Sequence, residues 1–504
     1  EFRRVLFRSS GMAMAHWEIQ GWMILILGWV FVPFYTRSMV YTMPEFLERR
    51  YNPQSRTILS VISLVSYVLT KVAVTVYAGG LVFQQVFGIK ELWGIDFFWI
   101  AAIGLVVLTA LYTIFGGMKS VLYTSVLQTP ILLLGSLIIL VLGFKELGGW
   151  DEMMRVCGAV TVNDYGDTMT NLIRSNDDAN FPWLGALIGS AIIGFWYWCT
   201  DQFIVQRVLS GKNEMEARRG TIFGAYLKLL PVFLFLIPGM IAFALHQKYI
   251  GAGGEGFLPM LANGTANADA AFPTLVAKLL PAGVKGLVVC GILAALMSSL
   301  ASLFNSSAML FTIDFYKRFR PETPEKKLVG IGQVATVVIV ILGILWIPIM
   351  RSVGDVLYTY LQDVQSVLAP GIAAAFLLGI CWKRTSAQGG MWGLIAGMVI
   401  GLTRLGAKVY YSNAGEVADS TFKYLFYDMN WLFFCGWMFL FCIIVVIVVS
   451  LATKAPTAEK IQGLVFGTAT KEQKAATRAS WNHWDIIHTV IILAITGAFY
   501  WYFW

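Results

Sequence analysis

The stretch Trp196-Tyr-Trp-Cys-Thr-Asp-Gln-Phe-Ile-Val-Gln-Arg207 places aromatic and polar side chains directly after an apolar run that contains Gly185, Gly189 and Gly194. In a membrane helix, glycines followed by such a cluster indicate that the helix is discontinuous near the middle of the bilayer. Aromatic rings suit the apolar faces of a ligand, and amide and carboxylate groups suit its hydroxyl groups. An aromatic belt at the membrane surface is the alternative, but a belt does not account for Asp201.

The whole chain has the composition of a membrane protein. Its 504 residues are 58% hydrophobic and only 13% charged, with a mean hydropathy of +0.69, whereas a soluble domain carries about a quarter charged residues. The charges form short clusters between apolar runs of about twenty residues, the length that crosses roughly 30 Å of hydrocarbon. Such long, continuous runs are too long for barrel strands, so the sequence predicts an all-α polytopic membrane protein.

Lysine and arginine collect in alternate loops, beginning with the loop after the first span and ending with 453–481, while the loop 146–182 is acidic. The positive-inside rule places the cation-rich loops in the cytoplasm and both ends of the chain outside. This pattern accounts for the net charge of +8 without a nucleic-acid partner. Twelve spans are predicted, at about 17–34, 55–87, 96–115, 121–144, 183–205, 220–246, 282–312, 327–350, 355–380, 387–407, 425–452 and 482–503.

Neither an enzyme nor an ATP-driven pump is indicated. The six cysteines and four histidines have no spacing typical of a metal site or a disulfide framework. The sequence contains no P-loop or dinucleotide fingerprint, and its loops are too short for a separate soluble domain.

A small-residue face on the span 282–312 is a candidate cation site. Ala295, Ser298, Ser299, Ser302 and Ser306 fall on one side of the predicted helix. Na⁺ is a hard cation that prefers oxygen ligands, which hydroxyl groups and a main-chain carbonyl supply. The alternative is that small residues permit close helix packing while the hydroxyls bond back to the preceding turn.

Other polar side chains also fall inside predicted spans. Asp355, Tyr358, Gln362 and Gln365 form a stripe on the span 355–380, for which bonding between helices without a ligand is the alternative. Ionisable groups inside a membrane are costly unless paired or hydrated. Structural pairing could explain any one of them, but together they favour a polar internal cavity. The isolated charges are Glu18, Lys71 and Lys228.

Residues 1–9, Glu1-Phe-Arg-Arg-Val-Leu-Phe-Arg-Ser9, match the translation of a common sequencing-library adapter and are interpreted as an artefact. The basic n-region of a signal peptide is the alternative. Under the first interpretation the natural N-terminus is missing. Residues 10–504 are then expected to form a single transmembrane domain in which 453–481 is a cytoplasmic loop.

Four stretches, in the same order along the chain, resemble the sodium/glucose cotransporter family within the wider solute:sodium symporters. The resemblance runs from Gly11 to the C-terminus, and several separate stretches make it specific. The stretches are Trp196–Arg207, Tyr226-Leu-Lys-Leu-Leu-Pro231, Ser298-Ser-Leu-Ala-Ser-Leu-Phe-Asn-Ser306 and Gly371-Ile-Ala-Ala-Ala-Phe-Leu-Leu-Gly-Ile-Cys-Trp-Lys-Arg384.

This resemblance implies a leucine-transporter-type fold, in which two inverted five-helix repeats bring two broken helices together at a central site. Similar members have fourteen helices, so twelve spans imply that the first two, including one broken helix, are absent. It further implies Na⁺-driven symport of a sugar or sugar-like solute by alternating access, in the inner cell membrane.

Matched position by position, the resemblance implies that the Ala295 carbonyl and the hydroxyls of Ser298 and Ser299 bind Na⁺. Glu18, Lys228 and Gln362 match the partners of the sugar hydroxyls. Tyr197 matches an aromatic gate that stacks on the sugar, with Trp198 beside it.

Two departures bear on the number of ions. Members of the family that couple a second Na⁺ have Asp where this chain has Ser125, and Thr where it has Ala301. Loss of a carboxylate and a hydroxyl removes the ligands expected for a second cation, so one Na⁺ per solute is expected.

Two alternatives to sugar symport remain open. The cargo could be another small solute, such as inositol, an amino sugar, a carboxylate or an amino acid. The carboxylate of Glu18 would repel an anionic solute, whereas the ammonium group of Lys228 could bind a carboxylate. A non-transporting solute sensor of the same fold is the other alternative. Sensor-like relatives differ at the position of Gln362, where this chain keeps the transporter residue.

Overall fold

The computed structural model describes residues 11–40, 42–260, 264, 266–353, 357–413 and 418–504. For residues 112, 114–125, 127, 128, 349–353, 357–360 and 413 it describes the backbone alone. Within this part of the chain almost all regular structure is helical, as the apolar runs predict.

Among the described residues, eleven segments are long and apolar enough to cross a membrane. Ten are helices or continuous helical runs, and one is part of a longer helix. They are α1 Gly11–Ser38, α3 Pro53–Phe87, a segment of α4 Phe97–Leu147, α6 Trp183–Thr200, α8 Glu214–Gly251, α10 Ala282–Phe319, α11 Glu325–Val353, α12 Leu357–Cys381, α13 Ala387–Asn413, α14 Trp431–Ala452 and α16 His483–Tyr502.

Shorter elements connect the spans. They are the helices α2 Met43–Arg50, α5 Trp150–Gly158, α7 Gln202–Leu209, α9 Ala271–Leu279 and α15 Lys471–Ala479, the 3-10 turns Ala268–Ala270 and Ala458–Lys460, the helical turn Thr421–Lys423, and the antiparallel strands β1 Glu91–Leu92 and β2 Ile95–Asp96. Trp93 and Gly94, both with positive φ, form the tight turn between the strands.

Several spans contain a π-helical segment, in which the backbone is locally widened. Such segments are rare and concentrate at functional sites. Pro231 explains one of them, because proline cannot donate the hydrogen bond that would continue an α-helix. The segments within spans are Leu27–Phe31, Tyr67–Val72, Phe195–Thr200, Val232–Leu236 and Leu310–Tyr316, and a further one, Tyr424–Asp428, lies between α13 and α14.

The predicted separation of the spans 96–115 and 121–144 is wrong, because one helix of 51 residues, α4, covers both. Gly116, Gly117 and Lys119 separate the two apolar segments. Glycine costs a helix interior only about 1 kcal/mol, and the left-handed residue that ends α4 comes at Gly148 (φ +112°). The apolar segments Phe97–Leu111 and Thr129–Leu147 therefore belong to one element.

The predicted start of the span 425–452 is also displaced. Asn430 caps α14 by accepting the Leu432 amide at 2.8 Å, so the helix begins at Trp431. The predicted loop 453–481 contains a helix of its own, α15, which Thr470 and Gln473 begin with a reciprocal capping box. The start of α16 is as predicted, with Asn482 as its cap.

The helices that carry the expected site residues pack against one another. α6 lies against α12 and α14, α8 lies against α1, and α10 lies along α4 and contacts α7 and the middle of α3. Buried side chains from α3, α4, α10, α12 and α14 form one apolar cluster beside this region. The fold therefore brings the start of α1, the middle of α3, the end of α6 and α8 into one neighbourhood.

α12 and α13 cross where two glycines meet. A Cβ atom added to Gly397 would lie 2.6 Å from the Cα of Gly371 and one added to Gly371 would lie 2.9 Å from the Cα of Gly397. Such small residues let membrane helices approach closely, and packing between backbones then stabilises the pair.

We expect Gly397→Ala to lower the free energy of unfolding by about 1–3 kcal/mol, because the new methyl group overpacks this crossing. Gly406→Ala on the same helix is the matched control, since nothing lies within 4 Å of its Cβ position. Thermal unfolding of the two purified variants in detergent measures the difference. Equal melting temperatures would contradict the assignment of a tight crossing.

Candidate site at the interrupted helix

The predicted interruption lies between α6 and α7. α6 ends in the π-helical segment Phe195–Thr200, after which Asp201 has an extended backbone (φ −79°, ψ 127°). The Asp201 carboxylate accepts the amide N–H of Phe203 at 3.1 Å and so caps α7. The Tyr35 hydroxyl donates to the Cys199 carbonyl at 2.6 Å. Side chains of the protein thus bond to two of the backbone groups that the break exposes, the Phe203 amide and the Cys199 carbonyl.

Asp201 also forms a buried ion pair with Lys71 of α3. The side chains of Lys71 and Asp201 are 10% and 3% exposed. The Lys71 ammonium donates to Oδ2, and the Tyr67 hydroxyl donates to Oδ1 at 2.7 Å. Buried charges are tolerated when they are paired and hydrogen-bonded, so this pair fixes the break of α6 against α3.

Three aromatic rings surround the ammonium group. Lys71 Nζ lies 4.7 Å from the ring centroid of Tyr67, 5.0 Å from that of Tyr197 and 4.4 Å from that of Phe203. At these distances a cation is attracted to the face of an aromatic ring. Tyr197, the expected gate residue, is therefore in contact with the ion pair.

Glu18, Trp198 and Lys228, three of the predicted solute-binding residues, come together beside the break. Lys228 Nζ donates to Glu18 Oε2 at 2.7 Å, and both side chains are partly buried, at 16% and 22% exposure. The same ammonium lies 5.6 Å from the Trp198 ring. The structure thus joins Glu18 of α1 to Lys228 of α8, 210 positions further along the chain, with Trp198 of α6 beside them.

Gln20 completes this group. Its side-chain oxygen accepts the Trp198 indole N–H at 3.3 Å, and its amide nitrogen donates to the Ser190 carbonyl at 2.9 Å. α1 is interrupted at Ile19 and Gln20, where the backbone turns away from helical geometry. This interruption allows Glu18 and Gln20 to serve one site, although residues two apart on a continuous helix face different directions.

A cavity of about 520 Å³ adjoins the group. Trp198 and Lys228 line it together with Arg207, Ile24 and Leu27. Ligand sites are typically clefts with apolar walls and a few directed polar groups, and this cavity has that character.

Gln362, the fifth predicted solute-binding residue, lies on α12, which packs against the π-helical segment of α6. It is 7% exposed, and its side-chain oxygen has no hydrogen-bond partner within the described residues. Gln365 is buried too. In the described part of the chain no hydrogen bond or ion pair joins Gln362 to Lys228 or Trp198. Asp355 lies outside the described residues, as does the side chain of Tyr358.

The predicted sodium residues lie on α10. Ser299 is exposed, and Ala295 and Ser298 are partly exposed. Leu296 and Met297, between them, pack into the apolar cluster that contains the middle of α3. The three predicted ligand groups, one carbonyl and two hydroxyls, all present oxygen atoms, which Na⁺ prefers. No described contact joins Ala295 or Ser299 to the solute-binding residues.

The C-terminal part of the small-residue face of α10 is hydrogen-bonded to α7. Arg207 donates to the Ser302 hydroxyl, and Gln206 donates to the Ser306 hydroxyl at 2.6 Å. The Ser306 hydroxyl in turn donates to the Ser302 carbonyl at 2.8 Å. Ser302 and Ser306 thus have the packing role that was the alternative for the whole face, and they tie α10 to the helix after the break. Ala301 and Ser125 are the two positions at which the chain differs from family members that couple a second Na⁺. Ala301 is fully buried, and the side chain of Ser125 lies outside the described residues.

Sequence reasoning found Lys71 and Asp201 as separate polar residues and missed their pairing. Opposite charges within two predicted spans were the signal, since each needs a partner in the membrane. Gln20 and Arg207 were missed as well. The role of Gln20 depends on the interruption of α1, and the role of Arg207 depends on the direction α7 takes after Asp201, so neither could be read from spacing.

Comparison with known proteins places this geometry in context. The profile of the Sodium:solute symporter family matches residues 6–397. A sodium/mannose cotransporter of Bos taurus is 36% identical, over 96% of this chain and 83% of its own length. Sodium/myo-inositol cotransporter 2 of Homo sapiens is 35% identical, over 91% and 69%. Sodium/glucose cotransporter 1 of Ovis aries is 37% identical, over 86% and 67%.

Two solved structures share the architecture. A Na⁺-coupled sialic acid symporter in a substrate-bound outward-open state gives a TM-score of 0.68 at 21% identity, covering 90% of this chain and 89% of its own. A transporter of the nucleobase-cation-symport-1 family gives 0.51 at 12% identity, covering 94% and 91%. At these identities the likeness concerns the fold, which is of the leucine-transporter type, as the sequence analysis expected.

We expect Lys71→Met to lower the free energy of unfolding by about 3–5 kcal/mol, because it leaves the Asp201 carboxylate buried without a counter-charge. Adding Asp201→Asn should restore most of the loss, since asparagine can still cap α7 and accept the Tyr67 hydroxyl. Thermal unfolding of the single and double variants in detergent measures both effects. A single variant as stable as the parent would show that the pair does not hold the break.

Proposed function

Because the chain belongs to the Sodium:solute symporter family, we propose that it couples inward flow of Na⁺ to uptake of a sugar or sugar-like solute by alternating access. Membership makes it a multi-pass, Na⁺-coupled solute transporter rather than an enzyme. The proposal adds the class of solute, the residues that bind it, the number of ions and the inner cell membrane as its location.

The Glu18–Lys228 pair is the observation that carries the solute class. Its carboxylate and ammonium neutralise each other at 2.7 Å while both remain partly exposed. An uncharged polyol can donate hydroxyl hydrogens to Glu18 and accept from Lys228 while the pair stays balanced. An anionic or cationic solute would have to break the pair and leave one charge uncompensated, which is costly in a partly dehydrated site. The pair therefore favours a neutral, polyhydroxylated solute.

The named relatives support the same class. Mannose, glucose and myo-inositol, the solutes in the names of three relatives, are all uncharged rings bearing several hydroxyl groups. Trp198, beside Lys228, offers an apolar face for such a ring. Gln362, whose side-chain oxygen has no partner within the described residues, offers an additional acceptor for a hydroxyl group.

For the ion, we assign the carbonyl of Ala295 and the hydroxyls of Ser298 and Ser299 as ligands. These groups supply oxygen dipoles without a fixed negative charge, which suits an ion that must bind and later leave. α7 links this helix to the break, because Arg207 bonds to Ser302 one turn beyond Ser299. A shift of α10 on ion binding would thus reach the segment that carries Tyr197 and Trp198.

One ion supplies enough energy for useful accumulation. Moving one charge across 100 mV contributes about 2.3 kcal/mol, and a tenfold Na⁺ gradient contributes about 1.4 kcal/mol. Together these support roughly 500-fold accumulation of a neutral solute. Because coupling between two bound ligands is reciprocal, Na⁺ and the solute should raise each other's affinity by the same factor.

Uptake of labelled glucose, mannose and myo-inositol into proteoliposomes, with Na⁺ or K⁺ outside, tests the function. We expect Na⁺-dependent uptake of at least one of these solutes. Ser299→Ala should raise the Na⁺ concentration for half-maximal uptake about tenfold, the effect of losing about 1.4 kcal/mol of ligand binding. Gln362→Ala should instead raise the KM for the solute with little change in Na⁺ dependence.

The two variants are controls for each other, because each should leave intact the parameter that the other changes. Counterflow of labelled solute in preloaded vesicles distinguishes a transporter from a sensor, which would bind without exchange. If Na⁺ activation is the same in Ser299→Ala as in the parent, the ion site has been placed wrongly. Uptake of a carboxylate or an amino acid in preference to all three polyols would contradict the solute class.

We expect one Na⁺ per solute, because Ser125 and Ala301 replace the carboxylate and hydroxyl that a second cation would use. A Hill coefficient near one for Na⁺ activation, and one charge moved per solute in solid-supported-membrane recordings, are the expected results. A Hill coefficient near two would overturn the stoichiometry without affecting the solute assignment.

A further inference from the structure

A lateral groove runs between α3, α10 and α11, and none of the proposed solute-binding residues lines it. Its volume is about 910 Å³. Its lining is apolar apart from Tyr316 and Lys327; the apolar residues include Val65, Val68, Phe311, Val334, Val338 and Leu342. Several of these side chains are largely exposed, Val334 at 65% and Val338 at 50%, so the groove opens at the surface that faces lipid in a membrane protein.

Both polar lining residues flank one basic loop. Tyr316 ends the π-helical segment of α10, Lys327 lies in the first turn of α11, and residues 317–326 connect them. The groove therefore meets this loop at one end. Between residues 317 and 327, five exposed cations outnumber two exposed carboxylates, Glu322 and Glu325, and Lys327 lines the groove itself; the cations are Lys317, Arg318, Arg320, Lys326 and Lys327.

Arg318 fastens the loop to α3. It donates to the carbonyl of Pro53 at 2.8 Å and to the hydroxyl of Thr57. The continuation of α3 supplies Leu64, Val65 and Val68 to the groove wall. Arg318 thus holds the basic loop against the first turns of α3, the helix whose continuation forms part of the groove wall.

We propose that this groove binds one anionic phospholipid, with the headgroup phosphate on the cations of the loop and an acyl chain along α11. Clusters of four or more lysines and arginines at the end of a membrane helix attract anionic lipids, and basic pockets between helices bind their headgroups. The lining follows α11 from Lys327 to Trp346, a distance of about 28 Å along the helix. The apolar wall is therefore longer than one leaflet, about half of a 30 Å hydrocarbon core, and an acyl chain whose headgroup lies at Lys327 occupies part of it.

Neutral lipid could also place a chain in the groove, but only an anionic headgroup gains from the excess of cations. Preference for anionic over zwitterionic lipid is therefore the property that identifies the site. The site is separate from the solute-binding residues, so its test measures lipid binding and not uptake.

The test uses the purified full chain exchanged into micelles that contain equal amounts of phosphatidylglycerol and phosphatidylcholine, with bound lipid counted by native mass spectrometry. We expect the parent protein to retain phosphatidylglycerol at least fivefold over phosphatidylcholine. Arg320→Gln/Lys326→Gln/Lys327→Gln should abolish the preference while leaving the chain site open. Val334→Trp should reduce retention of both lipids, because the indole fills the groove from an exposed position.

Lys454→Gln/Lys471→Gln/Lys474→Gln is the matched control. It removes the same charge from exposed lysines of the loop that follows α14 and from α15, and it should keep the preference. Equal retention of the two lipids by the parent would overturn the proposal. An equal loss in the two triple variants would overturn it as well, since the effect would then follow from net charge and not from this groove.

Discussion

The buried ion pair between Lys71 and Asp201 is the interaction on which the centre of the molecule depends. A helix that breaks inside a membrane exposes backbone groups that have no water to bond with. Asp201 resolves this by capping α7 while its charge is balanced from α3. Because the balancing charge comes from another span, the break can exist only when α3 and α6 are packed together, so the local irregularity is a product of the tertiary fold.

The same contacts connect the two halves of the proposed transport site. Lys71 contacts the ring of Tyr197 on one side of the break. On the other side, Arg207 of α7 bonds to Ser302 of α10, the helix that carries the proposed sodium ligands. A chain of contacts therefore leads from α10, the helix with the proposed sodium ligands, through α7 and Asp201 to Lys71 and the ring of Tyr197. Coupling of ion and solute needs such a shared element with two arrangements, and a short helix joined through a single extended residue is suited to move as a unit.

Most of the membrane-spanning helices and the interrupted helix could be predicted from the sequence because both depend on strong, local signals. Apolar length gives the spans, and the glycines before Trp196 indicate the break. The separation of the third and fourth spans failed because Lys119 and two glycines permit a helix as readily as they interrupt one. Pairings such as Lys71 with Asp201, or Arg207 with Ser302, could not be predicted, since the sequence does not fix how two distant spans rotate about their axes.

Charge balance gives the proposed site its selectivity. Lys71 is paired with Asp201 and Lys228 with Glu18, so these four charged groups at the break cancel in two pairs. A neutral solute can enter without disturbing either pair. On the proposed assignment, an incoming Na⁺ adds one charge that oxygen dipoles of α10 stabilise. An ion held by dipoles alone binds weakly enough to be released, and its charge is moved by the membrane potential. The same pairing that stabilises the broken helix would thus let the potential act on the ion while the solute crosses without charge.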